Sequence, residues 1–142
     1  MSRVRIAFPE PPIFTHEVEV RVSDLNYGNH LGHDSLISLL HEARVRFFRH
    51  FGMEERDTDG VGILLADLAV TYRAQVFYSQ TLRIDIAIGE VGARSCDLVY
   101  RVTDRDTGGL VALAKTGIVF FDYGANRMAD IPPSFRRLLP AG

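Results

Sequence analysis

The amino-acid sequence predicts an α+β domain in which one long helix packs along a five-stranded antiparallel sheet. Three features carry that expectation. One stretch, DSLISLLHEARVRFFRHFG, repeats apolar residues at helical spacing over about five turns. Five other stretches alternate with strand period or form short apolar runs. Glycine-containing turns separate the last strands from one another.

The bulk numbers agree with a single domain over residues 1–142. A chain of 142 residues can bury roughly 68–70% of its unfolded surface, so neither disulfide nor metal is needed for stability. The net charge of −2 argues against nucleic acid as the main partner, since a phosphate footprint needs a basic excess. The one cysteine, Cys96, lies in a strand pattern and reads as a small buried hydrophobe in a reducing, cytoplasmic setting. The opening MSRVRIAFPEPP is short and broken by proline, unlike a signal peptide or anchor, and no apolar run approaches the ~20 residues of a membrane span.

Residues 1–14 form an irregular lead-in with three prolines. In HEVEVRVS, Val18, Val20 and Val22 share one face against Glu17, Glu19 and Arg21, the pattern of a half-buried strand. The helix follows. Leu36, Leu40, Ala43 and Phe47 form its stripe, with Leu39 and Phe51 beside it. Asp34 or His33 is expected at its N-cap and Gly52 at its end. Arg44, Arg46, Arg49 and His50 complement the helix dipole. MEERDTDG is a polar loop. Four strands are then expected in an antiparallel meander: GILLADLAVTYRAQV, TLRIDIAIG, RSCDLVYRVTD and LVALAKTGIVFFD. TDRDTGG turns the last hairpin through Gly108 and Gly109. DIPPSFRRLL closes the chain as a short helix with Asp130 near its cap.

A helix ~10–12 Å thick cannot cover a five-stranded sheet ~20–24 Å wide. GILLADLAV and VALAKTGIVFF are also apolar at both parities, as strands buried on both faces are. A second copy, joined sheet edge to edge or helix to helix, is the simplest cover, so a homo-oligomer is expected.

Just before the helix, Ser23 to Ser35 (SDLNYGNHLGHDS) concentrates two histidines, two aspartates, two asparagines and two glycines. A helix N-terminus offers free N–H groups to an anion, or to a carbonyl oxygen that becomes one during reaction. Gly32 would let a substrate approach that backbone.

The order Asp24-Leu25-Asn26-Tyr27-Gly28-Asn29-His30-Leu31-Gly32, Leu40-His41-Glu42-Ala43-Arg44, Tyr72-Arg73-Ala74-Gln75-Val76, Thr107-Gly108, Val111-Ala112 and Ile131-Pro132-Pro133 resembles the hotdog-fold acyl-CoA thioesterases of the 4-hydroxybenzoyl-CoA thioesterase family. The likeness runs from about residue 15 to 139. It implies a helix wrapped by the sheet, dimers or dimers of dimers with a continuous sheet, sites between subunits, and CoA or acyl-carrier-protein thioesters as substrates. The family's loop reads D-x-D-x-x-G-H-V-N-N, and its second aspartate commonly acts as nucleophile or base. Asn26 stands there in this chain, and Gln75 stands where similar plant enzymes keep a glutamate.

Hydrolysis of a thioester needs a base and an oxyanion site, because a thiolate leaves readily. The amides of Leu31, Gly32 and His33 are expected at the oxyanion. The same amides would serve as ordinary helix-start donors, capped by Asp34 or water. His30 is the first base candidate, since imidazole titrates near ~6.5, although a histidine there serves equally to bond the loop. Glu42, on the flank of the helix stripe, is second. Helix carboxylates act as base or nucleophile in some hotdog enzymes, whereas an unremarkable glutamate there would simply be solvated or ion-paired. Asp24 is third and suits turn hydrogen bonds equally well. Asn26 can orient water or donate to a carbonyl but cannot take a proton. Tyr72 and Arg73 belong to a matching segment and are expected at substrate, with Arg73 and Arg94 candidates for CoA phosphates. Asp67 is a further buried-carboxylate candidate, with an edge or interface salt bridge as its plainer role. No metal is expected, since His41 lies ~80° around the helix from His33, and no cofactor is expected. The reading is an acyl-CoA thioesterase, with a non-catalytic acyl-CoA-binding hotdog module as the alternative. A dehydratase is disfavoured because no dehydratase-type loop with its carboxylate is present.

Overall fold

The computed structural model describes residues 3–140; Met1, Ser2, Ala141 and Gly142 lie outside the described residues, including the first two of the expected lead-in. Strand β1 (Phe14–Glu19) leads through a 3-10 turn (Val22–Asp24) to helix α1 (His33–His50). Strands β2 (Gly62–Tyr72), β3 (Thr81–Gly89), β4 (Ser95–Asp104) and β5 (Leu110–Asp122) follow, then a two-residue strand β6 (Arg127–Met128) and a helical turn α2 (Pro133–Arg136). The long helix and the five principal antiparallel strands match the expected α+β architecture. Among the described residues no helix is long and apolar enough to cross a membrane.

Period-2 patterning sets the inner face of the sheet. Leu82, Ile84, Ile86 and Ile88 of β3 face inward with Cys96, Leu98, Tyr100 and Val102 of β4 and with Ala112, Ala114, Ile118 and Phe120 of β5. Helix α1 lays Leu36, Leu39, Leu40, Ala43, Phe47 and Phe48 onto that face. Phe135 of α2 closes one end, meeting Phe47 and Phe120 edge-on and Phe48 at a tilt. Burial raises the Cys96 thiol to about 12, so it stays protonated and inert.

Four local expectations are corrected. Val22 is exposed, because the 3-10 turn ends the strand alternation after Val20. Gly32, not Asp34 or His33, is the N-cap of α1, and no side chain caps it. Pro132 takes the same place for α2, leaving Asp130 to pair with Arg94. Arg44, expected among the charges that complement the helix dipole, lies before the last turn and is buried. It lies within the apolar stripe, where its Nε donates to Glu55 at 2.7 Å and a terminal nitrogen donates to the Tyr100 hydroxyl at 3.3 Å. Tyr100 in turn meets Thr116 at 2.8 Å, so the buried charge is balanced by Glu55 and tied into a hydrogen-bonded chain. Gly52, at φ +74°, ends the helix as expected.

The meander is also corrected. The strand order is β1-β3-β4-β5-β2, so of the five principal strands only β3, β4 and β5 are sequential neighbours, and β2 pairs with β5 at the far edge. Residues 73–80 carry the chain back across the end of the sheet. Crossing three strand spacings needs ~14 Å, and eight residues can span ~26 Å. That crossing packs under the polar loop before α1. Leu31 N–H donates to Val76 O, and His30 bridges to Phe77.

Candidate active site

The loop before α1 is a tight turn held by one side chain. Asn29 adopts φ +63° and donates its N–H to Asn26 O, while Asn26 N–H donates to His30 O at 2.9 Å. The Asn26 side-chain oxygen accepts from Gly28 N–H at 2.9 Å and weakly from His30 N–H at 3.5 Å. Its amide nitrogen therefore faces the His30 ring, 3.4 Å from Nδ1. An amide nitrogen can only donate, so in this contact His30 Nδ1 is the acceptor. Gly28 fits beneath that ring: a Cβ there would sit 3.0 Å from Nε2.

The amides at the start of α1 are not equally available. Leu31 N–H is held by Val76 O at 2.7 Å and Gly32 N–H by Asp24 O at 3.1 Å. Of the three amides expected to polarise a carbonyl, only that of His33 has no acceptor among the described residues. Its ring stands edge-on to Tyr72, whose hydroxyl donates to His33 O at 3.4 Å. Burial, then the Asp34 charge, raises the Tyr72 phenol, which stays protonated at neutral pH.

A cavity of about 640 Å³ opens between this helix start and residues 72–76. The structure brings Asn26, His30, Leu31, Gly32, His33, Tyr72 and Arg73 together around it. Leu36, Ala74, Gln75, Val76 and Val111 complete the wall and were not among the site residues expected from the sequence. Gln75 was visible as a replaced carboxylate, Leu36 as part of the apolar helix stripe, and Ala74, Val76 and Val111 only as members of matching segments. None of the lining residues is a carboxylate.

Three candidates lie elsewhere in the protomer. Asp24 is buried behind the loop, where it accepts from Arg21 N–H at 2.8 Å and from the Arg21 guanidinium. Burial pushes its carboxyl up, but the Arg21 side chain and amide outweigh this and hold it below its ordinary value. Glu42 is on the outer flank of α1, paired with Arg46 at 2.7 Å beside His16. Arg94 pairs with Asp130 at a separate site beyond β5. His41 faces Glu55, and among the described residues no three metal-ligating side chains converge. Asp67 is an exposed edge residue, bonded to Lys115 and Gly117 N–H.

The fold recurs among solved structures. A 1,4-dihydroxy-2-naphthoyl-CoA thioesterase from Synechocystis superposes with a TM-score of 0.81 at 16% identity, over 88% of this chain and 93% of that one. A gentisyl-coenzyme A thioesterase gives 0.76 at 17% identity, over 87% and 99%. A DHNA-CoA thioesterase from Staphylococcus aureus gives 0.73 at 16%, over 82% and 78%. At these identities the likeness shows the hotdog fold alone. No curated protein sequence matches the chain. The sequence profile that does match covers residues 20–139, from the end of the first strand to the closing helix, and by it the chain belongs to the thioesterase-like superfamily.

Proposed function

We propose that the protein hydrolyses the thioester of an acyl-CoA, or of an acyl carrier protein, in the cavity at the start of α1. The observation that carries this reading is the convergence of His30, Asn26 and the open His33 amide on one cavity of about 640 Å³. That volume suits a small organic acyl group. The carbonyl oxygen would accept from His33 N–H, which strengthens as the oxygen gains negative charge. Water adds its oxygen to the carbonyl carbon and loses a proton to His30 Nδ1. The 3.4 Å contact from Asn26 is long for a hydrogen bond and yields easily. The C–S bond then breaks with its electron pair on sulfur, and the thiolate takes up the proton. The products are a carboxylic acid and a free thiol. Asp24 holds the loop, and Glu42 does not line the cavity of its own protomer, so the base falls to His30. A second copy added along β2 would cover the apolar residues left open there and place two such cavities near one shared boundary.

The absence of a lining carboxylate favours a second reading, a module that binds acyl-CoA without consuming it. A panel of aromatic, short and long acyl-CoAs with a thiol-detecting reagent separates the two. Hydrolysis predicts thiol release that falls ~10²–10⁴-fold in His30→Ala. A binding module predicts raised thermal stability with every thioester recovered intact.

A further inference from the structure

The lead-in before β1 does not hang free. Ile13 N–H donates to Ile86 O on β3, Pro9 lies against Gly89, and Glu10 pairs with Arg101 on β4. The Arg101 guanidinium stacks 4.3 Å above the Phe8 ring. Arg101 and its partner Asp85 sit on the sheet face turned away from α1. Residues 3–13 therefore cross that outer face and bring Arg3–Ile6 to the end of β2. There a cavity of about 840 Å³ is lined by Arg3, Arg5 and Arg73 with Val70 and Tyr72. No carboxylate lines it, and among the described residues none of the three guanidiniums has an acidic partner. Three like charges around one hollow repel each other unless an anion joins them. Guanidinium forks match phosphate oxygens two at a time.

Tyr72 and Arg73 also line the cavity that holds His30, so the two hollows adjoin. A CoA thioester has matching parts: an acyl group, a pantetheine arm, then a nucleotide bearing a pyrophosphate and a further phosphate. Accepting the thioester reading above, we propose that Arg3, Arg5 and Arg73 form the phosphate subsite for the CoA nucleotide. The site selects CoA over a carrier protein, whose pantetheine bears a single phosphodiester.

Arg3 and Arg5 are exposed and outside the core, so Arg3→Ala/Arg5→Ala leaves the fold intact. Two measurements test the subsite. In the first, kcat/KM for one acyl-CoA is divided by that for the same acyl-pantetheine; the ratio falls ~10-fold or more in the double variant, through KM. In the second, adenosine 3′,5′-bisphosphate is titrated calorimetrically; it binds the native protein, binds ~10-fold more weakly to the variant, and weakens further with salt. An unchanged ratio with equal nucleotide binding overturns the subsite while leaving hydrolysis standing. Preferential turnover of acyl carrier protein over acyl-CoA by the native protein overturns it too. If no thioester is consumed at all, hydrolysis fails and the nucleotide titration alone decides the subsite.

Discussion

Asn26 and His30 illustrate how one amide sets the chemistry of its neighbour. With the Asn26 oxygen committed to Gly28 N–H, the His30 lone pair is tied to an N–H donor. Asn26→Asp replaces that donor with an acceptor and puts a carboxylate on the cavity wall. We expect kcat to rise by ~10-fold or more, or turnover to appear where none was measurable. An unchanged kcat across the acyl-CoA panel would count against a role for this position. Asp24 makes a separate, structural contribution. Its folded pKa lies below its unfolded value of ~3.9, so the stability it adds is fully present above that value and is lost as pH falls through the folded one. Asp24→Asn should cost about 1 kcal/mol near neutral pH, and the gap should narrow as pH falls below the ordinary carboxyl value of ~3.9. Urea titrations of both proteins at pH 7 and pH 3 would show it, and a gap that does not change with pH would refute it.

Helix α1 depends on more than its apolar stripe. Arg44 occupies a position between Leu40 and Phe47 that helical geometry turns inward. Burial works against its charge, but Tyr100 and Glu55 more than compensate and hold it protonated. Arg44→Ala would take from Glu55 its 2.7 Å partner and leave a void beside Tyr100, which keeps only Thr116, at a cost of about 3 kcal/mol in chemical denaturation. Arg44→Met, which keeps the apolar stem, should cost less. Equal stability of Arg44→Ala and the native protein would mean the network carries no weight. The register of α1 also matters to the site, since it places Leu36 in the core and the His33 amide at the cavity from one turn of helix.

Across the whole molecule, the open feature is the β2 edge. Leu64, Leu65 and Leu68 are 42%, 51% and 44% exposed, on the last strand of the sheet, with no strand paired along its outer side among the described residues. Exposed apolar edges promote pairing with another chain. If a second copy docks there, Leu65→Lys/Leu68→Lys should sediment as a monomer while the native protein sediments as a dimer or dimer of dimers. A native protein that is monomeric at micromolar concentration would remove the proposed pairing.

Much of the fold was legible in the residues. The 3.6-residue and 2-residue periods placed α1 and β3 through β5 closely, because burial of one face imposes those periods whatever the partners are. The loop of Ser23–Ser35 stood out by composition, and its Asn26, His30 and His33 do meet at one cavity. Strand order was not legible: an eight-residue link reaches a neighbouring strand or a distant one equally well, and only packing chose β5 for β2. Nor could spacing tell which amides at the head of α1 stay open. Val76 and Asp24 claim two of them from positions distant in sequence or masked by the turn, so the chain alone specified its periods and its polar loop. The tertiary structure decided which polar groups were left for a ligand, because hydrogen-bond partners and neighbouring strands are settled in space.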